Sequence, residues 1–197
     1  MDSHIIGAII GASAAITAAA IAIVGVMIAN NLRRQIKLAT TETQLEAYAA
    51  LWEILKVASL TRLRQPEPKP LTSQERKDLD DKITAWYYKD GNGMLLGEGT
   101  RNVFMQARKN LICPFEQIQP KSLQTEERRT DEGRGMLSMR QLSLLRTRMK
   151  ADLEIYGLIF CGDLEPDDKA FLEQCGERLS RKPWRPKGIV VIDAQDD

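Results

Sequence analysis

Residues 5–29 form one unbroken apolar run, closed by the cluster Arg33, Arg34 and Lys37. No charge, proline, asparagine or glutamine interrupts it. About 25 helical residues cover roughly 37 Å, enough for a hydrocarbon core of about 30 Å with some tilt. The run therefore predicts a transmembrane helix over 5–29. Ser13 and Thr17 sit in its Ala-rich middle, where their hydroxyls can bond back to helix carbonyls. A cleavable signal peptide fits less well. It calls for a basic start and an apolar stretch of about 7–15 residues, whereas this chain opens Met1-Asp2-Ser3-His4. A buried core helix would show a polar face, and this run has none.

Charge sets the expected direction. Lys and Arg are retained on the cytoplasmic side, which places a short N-terminus (1–4) outside and everything after Asn30 inside. The expected localisation is the cell membrane, single-pass. Gly7, Gly11, Ala15 and Ala19 repeat every fourth residue. Such a stripe of small residues permits close backbone approach, so these four are candidates for self-association of the span. The plainer reading is the ordinary abundance of Gly and Ala in membrane helices. No carboxylate lies within the run to carry protons.

The remainder of the 197-residue chain is long enough for one modest domain. A formal charge of +1 gives no nucleic-acid signal. Cys113, Cys161 and Cys175 lack metal-site spacing, and His4 is the only histidine. These facts disfavour a zinc centre and a Ser–His or Cys–His pair, and no cofactor is implied. Strand signals are scarce. The expected fold is all-α: a single N-terminal transmembrane helix followed by a small cytoplasmic helical bundle.

Along that part, 30–64 lacks Gly and Pro and holds Leu38, Leu45 and Trp52 at sevenfold spacing, with Tyr48 and Leu55 between. It predicts a juxtamembrane amphipathic helix, too short in heptads to establish a coiled coil. A helical domain follows over 65–182. Its prolines 66, 68 and 70 make a stiff connector, and Thr72 with Glu75 reads as a capping box. Further helices are expected to about Lys89, over about Thr100–Leu111, over Met136–Tyr156 and after Pro166. The charge-mixed stretch near 114–135 loses periodicity and reads as a long mobile loop. An extended tail (183–197) ends the chain, with Ile189–Ile192 as a short apolar stretch.

Two segments invite functional readings. Trp86, Tyr87, Tyr88, Asp90, Asn92 and Arg101 offer aromatics, a flexible loop and an anion-holding first turn, a candidate ligand or partner loop. The competing account is an aromatic anchor followed by glycines that stop the helix. Glycine spacing from Gly91 to Gly99 does not match a dinucleotide turn, and a calcium loop starting at Asp90 would place Arg101 where a bidentate Glu is required. Arg181, Lys182, Trp184, Arg185 and Lys187 form a basic cluster around an aromatic, a candidate lipid or partner contact; an ordinary solvated tail is the alternative.

The functional expectation is a non-enzymatic scaffold or adaptor at the cytoplasmic membrane face, with membrane lipid and an undefined cytoplasmic protein as partners. A membrane effector whose Gly/Ala-rich span oligomerises and perturbs the bilayer is the second reading. An enzyme using the loop around Asp90 is the third.

Overall fold

A computed structural model describes residues 2–153, 164–180 and 183–184, excluding the side chains of 2–24, 36 and 37. The described residues are helical and contain no strand, so the all-α expectation holds for them. Among the described residues there are five α-helices: α1 (Asp2–Ile54), α2 (Ser73–Tyr88), α3 (Glu98–Ile112), α4 (Asp131–Asp152) and α5 (Pro166–Gln174). Among the described residues no helix is long and apolar enough to cross a membrane. Most of the expected span, 5–24, has its side chains outside those described. Tyr156, Cys161 and the Ile189–Ile192 stretch also lie outside the described residues.

The chain divides into two units, Met1–Thr43 and Gln44–Asp197. In the first, every described side chain over 25–35 and 38–43 is exposed, Val26, Met27, Ile28, Leu32 and Leu38 included. Thr43 Oγ1 donates back to Ala39 O at 3.0 Å, as a helical hydroxyl does.

In the second unit the core draws one face from each helix. Tyr48 and Leu51 come from α1, Leu55 from the 3-10 turn that follows it, Leu79, Ile83 and Trp86 from α2, Val103, Phe104, Ala107 and Leu111 from α3, and Phe171 and Leu172 from α5. These sets follow the i, i+3, i+4, i+7 spacing of amphipathic helices. Helix α4 packs against α2, α3, α5 and the turn after α1. It therefore buries residues on several sides, including Leu137, Met139, Leu142, Leu145 and Met149, a wider surface than the single stripe in its sequence.

Local chemistry explains most helix ends. The Thr72–Glu75 capping box forms: Glu75 N–H donates to Thr72 Oγ1 at 3.2 Å, and Thr72 N–H to Glu75 Oε2 at 2.9 Å. Pro166 opens α5 with Asp167 and Asp168 in its first turn, where the helix dipole favours carboxylates.

Two boundaries differ from the sequence reading. The helix expected over 30–64 stops at Ile54 and continues as 3-10 turns, Leu55–Ala58 and Leu60–Arg64. Ser59 is extended, its hydroxyl accepting from Thr61 N–H, and the Arg146 guanidinium takes the Leu55 carbonyl. These competitors come from a side chain and from another helix, so an absence of Gly and Pro does not reveal them.

The segment expected to be a long mobile loop is built differently. Three 3-10 turns, Phe115–Gln117, Lys121–Leu123 and Glu126–Arg129, precede α4, which already begins at Asp131. Ile118 and Leu123 are fully buried. Polar side chains satisfy the irregular backbone. Asn110 Nδ2 donates to Gln119 O at 2.7 Å and its Oδ1 accepts from Gln119 N–H at 3.1 Å. Gln124 Nε2 donates to Ile118 O at 2.9 Å, and Arg134 holds Cys113 O at 2.7 Å. Buried backbone must find partners somewhere, and here residues that read as solvent-facing provide them.

Candidate functional site

The Trp86–Arg101 segment is split between core and surface. Trp86 is buried, its Nε1 donating to Ala47 O at 3.0 Å and its ring 5.9 Å from that of Phe104. Tyr87 stacks on Phe104 at 5.3 Å, and Gly93 lies so close to the Tyr87 ring that a Cβ there would sit 2.5–2.8 Å from its carbons. Asn92 Nδ2 donates to Trp86 O at 3.1 Å, closing the turn. Asp90 (φ 50°) and Gly91 (φ 75°) are both left-handed, a conformation that stops a helix and that Asp and Gly tolerate better than most residues. Arg101 is spent on Leu96 O at 3.2 Å. Tyr88, Asp90 and Arg101 remain exposed. The six residues expected to line one cleft thus divide between an aromatic anchor, a helix stop and solvent.

Trp184 departs most from its sequence setting. Its basic neighbours suggest a surface residue, yet it is 1% exposed and its Nε1 donates to Glu177 Oε2. It is therefore unavailable for lipid or partner contact. Arg181, Lys182, Arg185 and Lys187 lie outside the described residues. Gly7, Gly11, Ala15 and Ala19 fall in the helical backbone of α1, but their packing also lies outside what is described.

A polar cluster that the sequence does not announce joins α1, the start of α3 and the end of α4. Tyr48 Oη donates to Asp152 Oδ2 at 2.7 Å and accepts from Gln44 Nε2 at 3.3 Å and Gly97 N–H at 3.4 Å. Burial, then the adjacent Asp152 carboxylate, pushes the phenol well above its ordinary titration range. Arg148 lies between two carboxylates, 3.8 Å from Asp152 Oδ1 and 3.3 Å from Glu177 Oε1. The second contact has the distance of an ion pair without the angle of a hydrogen bond, since Arg148 Nε has no hydrogen-bond partner. Gly97 and Gly99 make room for this arrangement. A Cβ on Gly97 would stand 2.6 Å from Asp152 Oδ2, and one on Gly99 2.5 Å from Arg148 Nη2. Gly97 gives α3 no side-chain cap, so Asp152, at the positive end of the helix, complements its dipole.

Beside this cluster is a polar cleft of about 560 Å³, bordered by Glu98, Asn102, Arg148, Asp152, Glu177 and Arg178. Asp152 and Glu177 already hold partners within the protein, and among the described residues no group of three metal-ligating side chains converges. The cluster fastens three helices together.

A second depression, of about 240 Å³, has a different character. Leu45, Tyr48, Ala49 and Trp52 of α1 face Met149, Lys150 and Leu153 at the end of α4. Lys150 Nζ sits 5.2 Å from the Trp52 ring centroid and the Arg146 guanidinium 5.6 Å from it, both within cation–π range. Leu45 is half exposed at 51% and Ala49 is exposed. The groove is thus apolar on its floor and cationic on the α4 rim.

Comparison of the chain with protein-family models, curated proteins and solved structures finds no match.

Proposed function

We propose that this chain is a single-pass membrane protein in which residues 5–29 anchor a helical unit to the cytoplasmic face, and that it acts there as a non-enzymatic scaffold or adaptor. The carrying observation is the uninterrupted apolar run with its basic collar at Arg33, Arg34 and Lys37. The exposure of Val26, Met27 and Ile28 supports it. Burying a large aliphatic side chain is worth about 1.5–3 kcal/mol, and a lipid bilayer supplies that cover for the whole run. The cationic collar supports the longer part of the chain lying inside, because Lys and Arg are retained on the cytoplasmic side.

Two features favour a binding role over catalysis. Asp90 sits at a helix stop with Arg101 engaged on a backbone carbonyl. Asp152 and Glu177, two of the three carboxylates bordering the polar cleft, are committed to Tyr48, Arg148 and Trp184. The test is membrane extraction combined with tag accessibility. The chain should stay in bilayers through an alkaline carbonate wash, and a C-terminal tag should be shielded in unbroken cells. Release by carbonate, or a tag reachable from outside, refutes the reading.

A further inference from the structure

We infer that the groove between α1 and α4 receives α1 of a second copy, giving a parallel twofold dimer. The exposed part of α1 in the second unit carries two strips, and α4 adds a third beside them. At roughly 100° per residue, Leu45, Ala49 and Trp52 fall within about 60° of one another and form an apolar centre. Glu46 and Glu53, both exposed, lie on one side of it, about 80–100° from Leu45. On the other side stands α4, which contributes Lys150. The face is therefore acidic along one edge, apolar in the middle and basic along the opposite edge.

That order selects the occupant and its direction. A twofold axis parallel to α1 brings the acidic edge of one copy against the basic edge of the other, twice, while Leu45 and Ala49 meet their own counterparts. An antiparallel pairing across the same strip sets acidic edge against acidic edge and basic against basic. An isologous contact must complement itself, and here only the parallel arrangement does. Glu53 already reaches Lys56 of its own chain at 3.7 Å, but both are more than 70% exposed, so this pair is weakly held and free to exchange. The sevenfold spacing of Leu45 and Trp52 supports the same geometry, because a heptad seam keeps facing a parallel partner.

The strength of the contact rests on the membrane reading. A groove of this size makes a small interface, and anchored copies share one plane and one orientation, which raises their effective concentration. The direction of pairing rests on charge alone.

The experiment uses the full chain in its native membranes, with Leu45→Cys and Ala49→Cys introduced separately and a mild oxidant added. Both positions are exposed, so neither substitution disturbs the core. Each variant should give a disulfide-linked homodimer that the parent chain does not. Adding Lys150→Glu should abolish the band, and combining it with Glu46→Lys and Glu53→Lys should restore it. No homodimer at either position, crosslinking to a different protein alone, or a band indifferent to Lys150→Glu overturns the proposal. Crosslinking at only one position points to an antiparallel contact and overturns it too. A carbonate-released chain that still crosslinks would sink the anchor and leave the dimer standing; a carbonate-resistant chain without crosslinks does the reverse.

Discussion

Replacing Gly135 by alanine separates intrinsic helix propensity from tertiary packing, because the two predict opposite signs. Gly135 lies in α4 and is buried. In an open helix the substitution gains about 1 kcal/mol, since alanine loses less backbone freedom on folding. Here the new Cβ would stand 2.8 Å from Leu71 N and 2.9 Å from Pro70 Cβ, and closer still to Leu71 O. Contacts under 3.0 Å are essentially unknown for real Cβ atoms, and the obstacle is mainly backbone, which cannot rotate aside. Nor is that backbone free to retreat. Leu71 is 1% exposed, its carbonyl accepts from Arg76 Nη1 at 3.1 Å, and the capping box of α2 follows at once.

Overpacking of this kind costs about 1–3 kcal/mol, occasionally more. With the strain falling on fixed backbone, the upper part of that range applies, and subtracting the propensity gain leaves a net loss of about 1–2 kcal/mol. For a unit of roughly 150 residues each kcal/mol moves Tm by about 2–4 °C, so the midpoint should drop by roughly 2–8 °C. Circular dichroism of the full chain in detergent micelles, at fixed protein and detergent concentration, measures it. Gly133→Ala, whose Cβ would lie 2.8 Å from Glu127 C and 3.0 Å from Arg128 Cα, should shift the same way. A rise in Tm for Gly135→Ala would refute the reasoning, since it would mean that α4 does not press on the 70–71 backbone.

Two further outcomes follow from the electrostatics. Tyr48→Phe keeps the ring and deletes the donor 2.7 Å from Asp152, whose side chain is 10% exposed; a lost hydrogen bond to a buried charge costs about 1.5–3 kcal/mol, read as a lower urea midpoint, and in a double-mutant cycle with Asp152→Asn the double variant should lose less than the sum of the two single losses. The Arg76 guanidinium, 2.7 Å away, holds the Asp131 carboxyl below its ordinary range. A depressed acid stabilises the fold above the unfolded carboxylate value of about 3.9 and loses that contribution as pH falls through the lower folded value. The urea midpoint should therefore decline less steeply between about pH 4 and pH 2 in Arg76→Gln than in the parent, and identical acid limbs would count against the pair.

The helices were legible because each carries its own instruction. Amphipathic spacing in Leu79, Ile83 and Trp86 or in Val103, Phe104, Ala107 and Leu111 needs only a period of 3.6, and Thr72 with Glu75 needs only a local hydrogen-bond pair. The apolar run at 5–29 and its collar are equally local, since hydropathy and flanking charge require no knowledge of neighbours. The polar cluster was not legible. Tyr48, the Arg148–Asp152 pair and Glu177 are far apart in sequence, and although Tyr48 sits on an apolar seam, nothing local marks the three charged residues for burial beside it. Trp184 was misplaced for a related reason, as adjacent basic residues describe the chain around an indole and not the Glu177 carboxylate that receives it.

Sequence alone therefore determined that the described part of this protein is helical, where its α2 and α5 helices begin, and that one segment carries an unbroken apolar run with a cationic edge. Tertiary structure decided where α1 gives way to 3-10 turns, that the 114–130 segment is tied down by Asn110, Gln124 and Arg134, and that Leu45, Ala49 and Trp52 share a groove with Lys150. The division has one physical cause. Periodicity, capping and hydropathy act over a few residues, whereas satisfying buried backbone and pairing buried charge depend on groups that only folding brings within about 3–4 Å.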